Sequence, residues 1–189
     1  MKNFVKILSL LFVLLFISFT GAYALKWNRA TIMIYVPKDE VYAPLMQSAV
    51  YQWQGYTHRK LAFWITHEPR DLRLVEVETV FNKNTDANAA NYGSVNYTAS
   101  SNFYRHAKIT ININENPEIL NNPEKNNENI AEIYTVMVKQ VGKMLGVPES
   151  QDPNSAMYSK YQQGQKIMPS DCENLDKVYG WTANKKVKH

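Results

Sequence analysis

Lys139-Gln140-Val141-Gly142-Lys143-Met144-Leu145-Gly146-Val147-Pro148-Glu149-Ser150, followed after one residue by Asp152-Pro153-Asn154-Ser155-Ala156-Met157-Tyr158, is the stretch on which the reading of this chain turns. Upstream of it, Ile130, Ile133, Met137, Val141 and Met144 recur at steps of three and four. That spacing predicts an amphipathic helix from about Ile130 to Leu145. Asn129 with Glu132 supplies a helix cap at its start, and Gly146 a natural stop at its end. Lys139 and Lys143 lie four residues apart and so share one helix face. After the helix comes a turn-rich segment, and then a second capping box, Ser170 with Glu173. It opens a short helix that carries Leu175 and Val178 and ends near Gly180.

Towards the N-terminus the apolar pattern changes period. Thr31 to Val36 reads as a strand rich in Ile, Val and Tyr. A helix then runs to about Trp53, with Leu45, Ala49, Val50 and Trp53 at helical spacing and Pro44 in its first turn. Leu61 to Ile65 and Leu72 to Val80 read as further strands. Ala107, Ile109, Ile111 and Ile113 alternate with Lys108, Thr110 and Asn112 in a half-buried strand. Asn82 to Gly93 and Asn121 to Asn129 are polar and read as loops. The order is strand, helix, three strands, helix, irregular turn, helix. It predicts an α+β (mixed α/β) domain with one sheet and about three helices.

The ends of the chain carry separate signals. Lys2 and Lys6, the apolar run Ile7 to Phe19, and Ala22-Tyr23-Ala24 read as a signal peptide over residues 1–24, cleaved after Ala24. The run is shorter than the ~20 apolar residues of a membrane span, so no stable anchor is expected after cleavage. The domain then covers residues 25–189, and the product is expected to be secreted or periplasmic. Losing Lys2 and Lys6 takes Lys plus Arg from 21 to 19 against 17 acidic residues, so the net charge falls from +4 to +2. Apart from Lys185, Lys186 and Lys188 in the tail, the basic residues are scattered, which argues against a nucleic-acid partner. Cys172 is the single cysteine, so no internal disulfide forms and a packed core must hold the domain.

The central stretch resembles the zinc-site region of the metzincins, and of the matrixin branch in particular. That family carries H-E-x-G-H-x-L-G-x-x-H-S and then a D-x-x-S-x-M-Y methionine turn. Gly142, Leu145, Gly146, Ser150, Asp152, Ser155, Met157 and Tyr158 match its scaffold letters. Arg70-Asp71-Leu72-Arg73-Leu74, Gly93 to Thr98 with Ala107 to Asn112, and Ser170-Asp171 through Leu175 to Tyr179-Gly180 resemble the family's flanking segments. The resemblance implies a metzincin-like single domain with one twisted sheet of about five strands, and Met157 in the methionine turn.

The chemistry-bearing positions do not match. The family's site needs three imidazoles on zinc and a glutamate beside the first to take a proton from bound water. Here the resemblance puts Lys139, Lys143 and Glu149 at the ligand positions and Gln140 at the general-base position. Lysine, with an unperturbed pKa near ~10.4, is protonated and offers no lone pair. One carboxylate is not a site, and a neutral amide cannot accept the proton. No catalytic residue, no metal ligand and no zinc are therefore expected. Lys143 and Glu149 sit where the family's ligands converge, so an ion pair there, with Lys139 joining, is one expectation. Solvent exposure of all three is the other, and there a pair contributes roughly 0–1 kcal/mol.

Three functions follow as expectations. One is a secreted, catalytically inactive pseudoprotease whose cleft binds an extended peptide or protein by strand addition to a sheet edge. A second is an active zinc-dependent metalloendopeptidase with atypical ligands, which needs His58, His67 or His106 at the site. The third is a structural or assembly protein of the cell envelope with a filled cleft. His58, His67, His106 and His189 show no metal-ligand spacing among themselves. The family's inhibitory cysteine lies in a propeptide for which there is no room before the first strand, so Cys172 is expected to pack rather than react. Tyr92, Tyr97, Phe103 and Tyr104 fall either beside the cleft-edge strand or in the core. Asn96-Tyr97-Thr98 has the letters of a glycosylation sequon.

Overall fold

A computed structural model describes residues 25–38 and 40–181. The signal peptide read from residues 1–24, the tail lysines and His189 lie outside the described residues. The elements in chain order are β1 (Thr31–Tyr35), α1 (Ala43–Gln54), β2 (Ala62–Thr66), β3 (Val77–Asn84), β4 (Tyr92–Ser100), β5 (Phe103–Asn114), α2 (Pro117–Leu120), α3 (Pro123–Met144) and α4 (Pro169–Tyr179). They form an α+β domain with four helices and one mixed five-stranded sheet.

The sheet order is β2-β1-β3-β5-β4. β1 pairs in parallel with β2 and β3, and β3 with β5; β4 runs antiparallel to β5 at the sheet edge. Parallel neighbours need a long crossover, which α1 supplies between β1 and β2. Ile109, Ile111 and Ile113 of β5 and Ile32 and Ile34 of β1 are fully buried. Onto them pack Met46, Val50 and Trp53 of α1 and Ile133, Met137, Val141 and Met144 of α3. Two indole donors fasten α3 to its surroundings: Trp53 Nε1 donates to the Val138 carbonyl at 2.7 Å and Trp27 Nε1 to that of Met144 at 2.9 Å.

Several expectations are corrected. The strand expected from Leu72 begins only at Val77, because Pro69 opens a 3-10 turn over Pro69–Arg73 and Leu74 N–H bonds back to the Asp71 carbonyl. Proline's fixed φ favours such a start. The expected loop Asn82 to Gly93 shrinks from both ends. Asn82 to Asn84 continue β3, carried by pairing with Asn112 to Asn114, and Tyr92 and Gly93 already belong to β4. Among the described residues, four strands thus follow α1, not three.

The expected loop Asn121 to Asn129 is mostly helix. α3 starts at Pro123, where the Asn122 side chain accepts from the Glu124 and Lys125 N–H groups. Asn129, read as the cap, is buried instead and bonds the Asn114 carbonyl and Asn91. The second capping box is also displaced. Asp171, not Glu173, closes it by accepting from Met168 N–H, with Pro169 as the first helical residue.

Candidate functional site

α3 presents Lys139, Gln140 and Lys143 towards β4 and the loop that follows the helix. Gly146 ends the helix with φ +86°, a left-handed conformation that side chains resist. The chain then returns through Glu149 and Ser150 to the turn at Ser155, Ala156 and Met157. Ser150 N–H donates to the Met157 carbonyl at 3.0 Å.

That turn is held from beneath. Ser155 Oγ, fully buried, donates to the Asp171 carboxylate at 2.7 Å and accepts from Met157 N–H at 2.9 Å. Asp171 also accepts from Met168 N–H at 2.9 Å, so one buried carboxylate ties α4 to the methionine turn. Met157 lies under Gly142. A Cβ at residue 142 would overlap Met157 Sδ and stand 2.6 Å from Trp53 Cζ2. The glycine that weakens a helix interior is therefore required by the packing of these two side chains.

The structure brings Lys139, Lys143 and Glu149, the residues expected at the ligand positions, together. Lys143 Nζ is 2.8 Å from Glu149 Oε1, and Lys139 Nζ is 3.5 Å from the same oxygen. Lys139 also donates to the carbonyls of Tyr158 at 2.6 Å and Ser159 at 3.1 Å. Burial pushes the Lys139 ammonium below the usual lysine value, with Glu149 working in the opposite direction. The hydrogen bond from Lys143 holds the Glu149 carboxyl below its ordinary value.

Gln140, the residue expected at the general-base position, is buried, and its Oε1 has no hydrogen-bond partner among the described residues. Its side chain lies against Gly93 of β4, where an added Cβ would stand 2.6 Å from Gln140 Cγ. A cavity of about 230 Å³ opens between α3 and β4, bordered by Gly93, Lys139, Gln140, Lys143 and Glu149. A second cavity of about 550 Å³ shares Asn91 and Tyr161 with it.

The residues present do not fit zinc. An ammonium has three N–H donors and no lone pair, and the contacts of Lys139 point those donors at two carbonyls and one carboxylate. Lys143 likewise faces Glu149 as a donor. What remains is one carboxylate and one amide, short of the nitrogen, sulfur and carboxylate set that zinc takes.

The histidines lie elsewhere. His58 faces Asp176 at 3.0 Å, His67 Nδ1 lies 2.7 Å from the Val36 carbonyl, and His106 is on β5. None of the three borders the cavity. Burial pushes the Cys172 thiol up to about 11, away from the lowered values that mark reactive cysteines.

The aromatic residues divide. Tyr92 is exposed at the cavity rim, and Tyr104 is buried. Tyr97 stacks on Tyr104 at 4.4 Å and donates to the Lys143 carbonyl at 2.6 Å, which fixes the last turn of α3 against β4.

Among protein-family models, the matrixin model matches residues 23–180, most of the chain and all of the elements above. The chain belongs to the matrixin family. No curated protein matches it. Within this matrixin, sequence reading singled out Lys139, Lys143, Glu149 and Met157, leaving open whether the three charges meet, and missed Asp171, Trp53 and Gly93 as the parts that hold them. Asp171 carried a signal, the pattern Met168-Pro169-Ser170-Asp171, in which an acidic N3 residue follows a proline at N1. The role of Gly93 depends on the facing of β4 and α3, which no local pattern records.

Proposed function

We propose that this matrixin is a secreted pseudoprotease, catalytically inactive and free of zinc, whose cleft between α3 and β4 binds an extended peptide or protein. The observation that carries the proposal is the Lys139–Lys143–Glu149 cluster. At the family's ligand positions it puts two cations and one anion in mutual contact. Such a cluster carries one net positive charge and points ammonium donors, not lone pairs, into the site, which disfavours a divalent cation. Gln140 supplies no base, since an amide does not take up a proton near neutral pH. The edge position of β4 supports the binding role, because an unpaired strand edge adds an extended segment through backbone hydrogen bonds. Secretion rests on the basic, apolar and small-residue pattern of residues 1–24.

The test has two arms. Purified protein is incubated with casein, with and without a chelator, and a phage-displayed peptide pool is panned against it. The expected outcome is no chelator-sensitive cleavage, together with a saturable peptide ligand. Cleavage abolished by the chelator would contradict inactivity, and panning without a saturable ligand would contradict binding.

A further inference from the structure

We propose that the cavity between α3 and β4 captures the C-terminal end of a peptide, Lys143 holding its free carboxylate and Gln140 accepting its last amide N–H. This rests on reading the cleft as a peptide-binding site, and adds which part of the peptide enters it.

Charge comes first. Among the described residues, those bordering the cavity that carry charge are Lys139, Lys143 and Glu149, which sum to one net positive charge that one carboxylate neutralises. Lys139 is committed to two carbonyls. Lys143 has Glu149 as its one polar partner among the described residues, which leaves two N–H directions unused.

Hydrogen bonding comes next. Gln140 lies three residues before Lys143 on the same helix face. Its buried Oε1 lacks a donor, a deficit that a ligand N–H would fill. The terminal amide torsion is soft, so the oxygen turns to a nearby N–H without leaving its rotamer. An amide N–H beside a carboxylate is the chemistry of a chain end.

Size agrees. At about 230 Å³ the cavity is below the roughly 300–1,000 Å³ of sites that enclose a whole small ligand. The larger neighbouring cavity, reached past Asn91 and Tyr161, receives the preceding residues. Glu149 then acts as a built-in competitor that occupies Lys143 until a ligand arrives.

The experiment is equilibrium dialysis of the intact protein against a pool of N-acetylated tetrapeptides of randomised sequence. The peptides are supplied as free acids or as carboxamides, and retention is read by mass spectrometry. The proposal expects acids to be retained about tenfold over amides, a difference of about 1.4 kcal/mol. Glu149→Gln is expected to raise acid retention, and Lys143→Met to erase the preference. Because Lys143→Met could unfold the chain, its melting curve is recorded, and the Glu149→Gln comparison stands independently of it. Equal retention of acids and amides would overturn the proposal and leave the cleft reading intact. Retention of neither would overturn both. Weaker acid binding by Glu149→Gln would overturn the competitor role.

Discussion

Replacing Glu149 by Gln removes the one carboxylate that Lys139 and Lys143 share. Glu149 is about half exposed, so solvent screens the pair and its contribution stays within roughly 0–1 kcal/mol. For a domain of this size that is at most about 2–4 °C of melting temperature. The carboxyl is held below its ordinary value in the folded state. Its stabilising effect is therefore present above the unfolded carboxylate value of about 4.3 and is lost as pH falls through the lower folded value. Melting curves at neutral pH should separate wild type from Glu149→Gln, and curves in strong acid should superimpose. Lys139 should behave differently. Two carbonyl contacts and partial burial make it part of the packing, so Lys139→Ala leaves the part-buried Tyr158 carbonyl without its donor while water reaches the exposed Ser159 carbonyl, and should cost about 1 kcal/mol by denaturant titration. The shared face of Lys139 and Lys143 was legible in their four-residue spacing, whereas Glu149 came into view only through the resemblance to the matrixins. That Lys139 faces two backbone carbonyls was not, since Tyr158 and Ser159 reach it through the fold of the turn.

Between elements, the decisive contacts are those of Gly142 and Asp171. Gly142→Ala gains up to about 1 kcal/mol of helix propensity. It also drives a methyl group into Met157 and Trp53, and overpacking of that kind costs about 1–3 kcal/mol. The expected net result is a less stable protein, measured by urea unfolding. Asp171→Ala should be worse, by at least about 2 kcal/mol. It orphans the Ser155 hydroxyl and the Met168 N–H together and frees α4 from the methionine turn. β1, α1, β5, the core of α3 and α4 were legible because their apolar residues keep a period of two or of 3.6. β4 was hidden because nearly all its side chains are polar or exposed, and its one strand partner is β5. The start of α3 was hidden because Asn-rich sequence favours turns. Asn122 and Pro123 mark the true start, whereas Asn129 serves the buried bonds among Asn91, Asn114 and Asn129.

At the scale of the molecule, the chain keeps the matrixin fold, and the proposed account is that its chemistry-bearing positions have changed together. The sheet, Trp53, Gly142, Met157 and the Ser155–Asp171 bond hold the helix and its turn in place, and the Lys139–Lys143–Glu149 cluster makes its own contacts there. Among the described residues, no group of three or more His, Cys, Asp or Glu is placed to hold a metal ion, and no helix is long and apolar enough to cross a membrane. The central claim is that this fold stands without zinc. The most direct test is the elemental zinc content of the purified protein after dialysis against trace zinc. The account predicts occupancy far below one zinc per chain, with a melting temperature unchanged by a chelator. A value close to one per chain, lost together with stability on chelation, would contradict it.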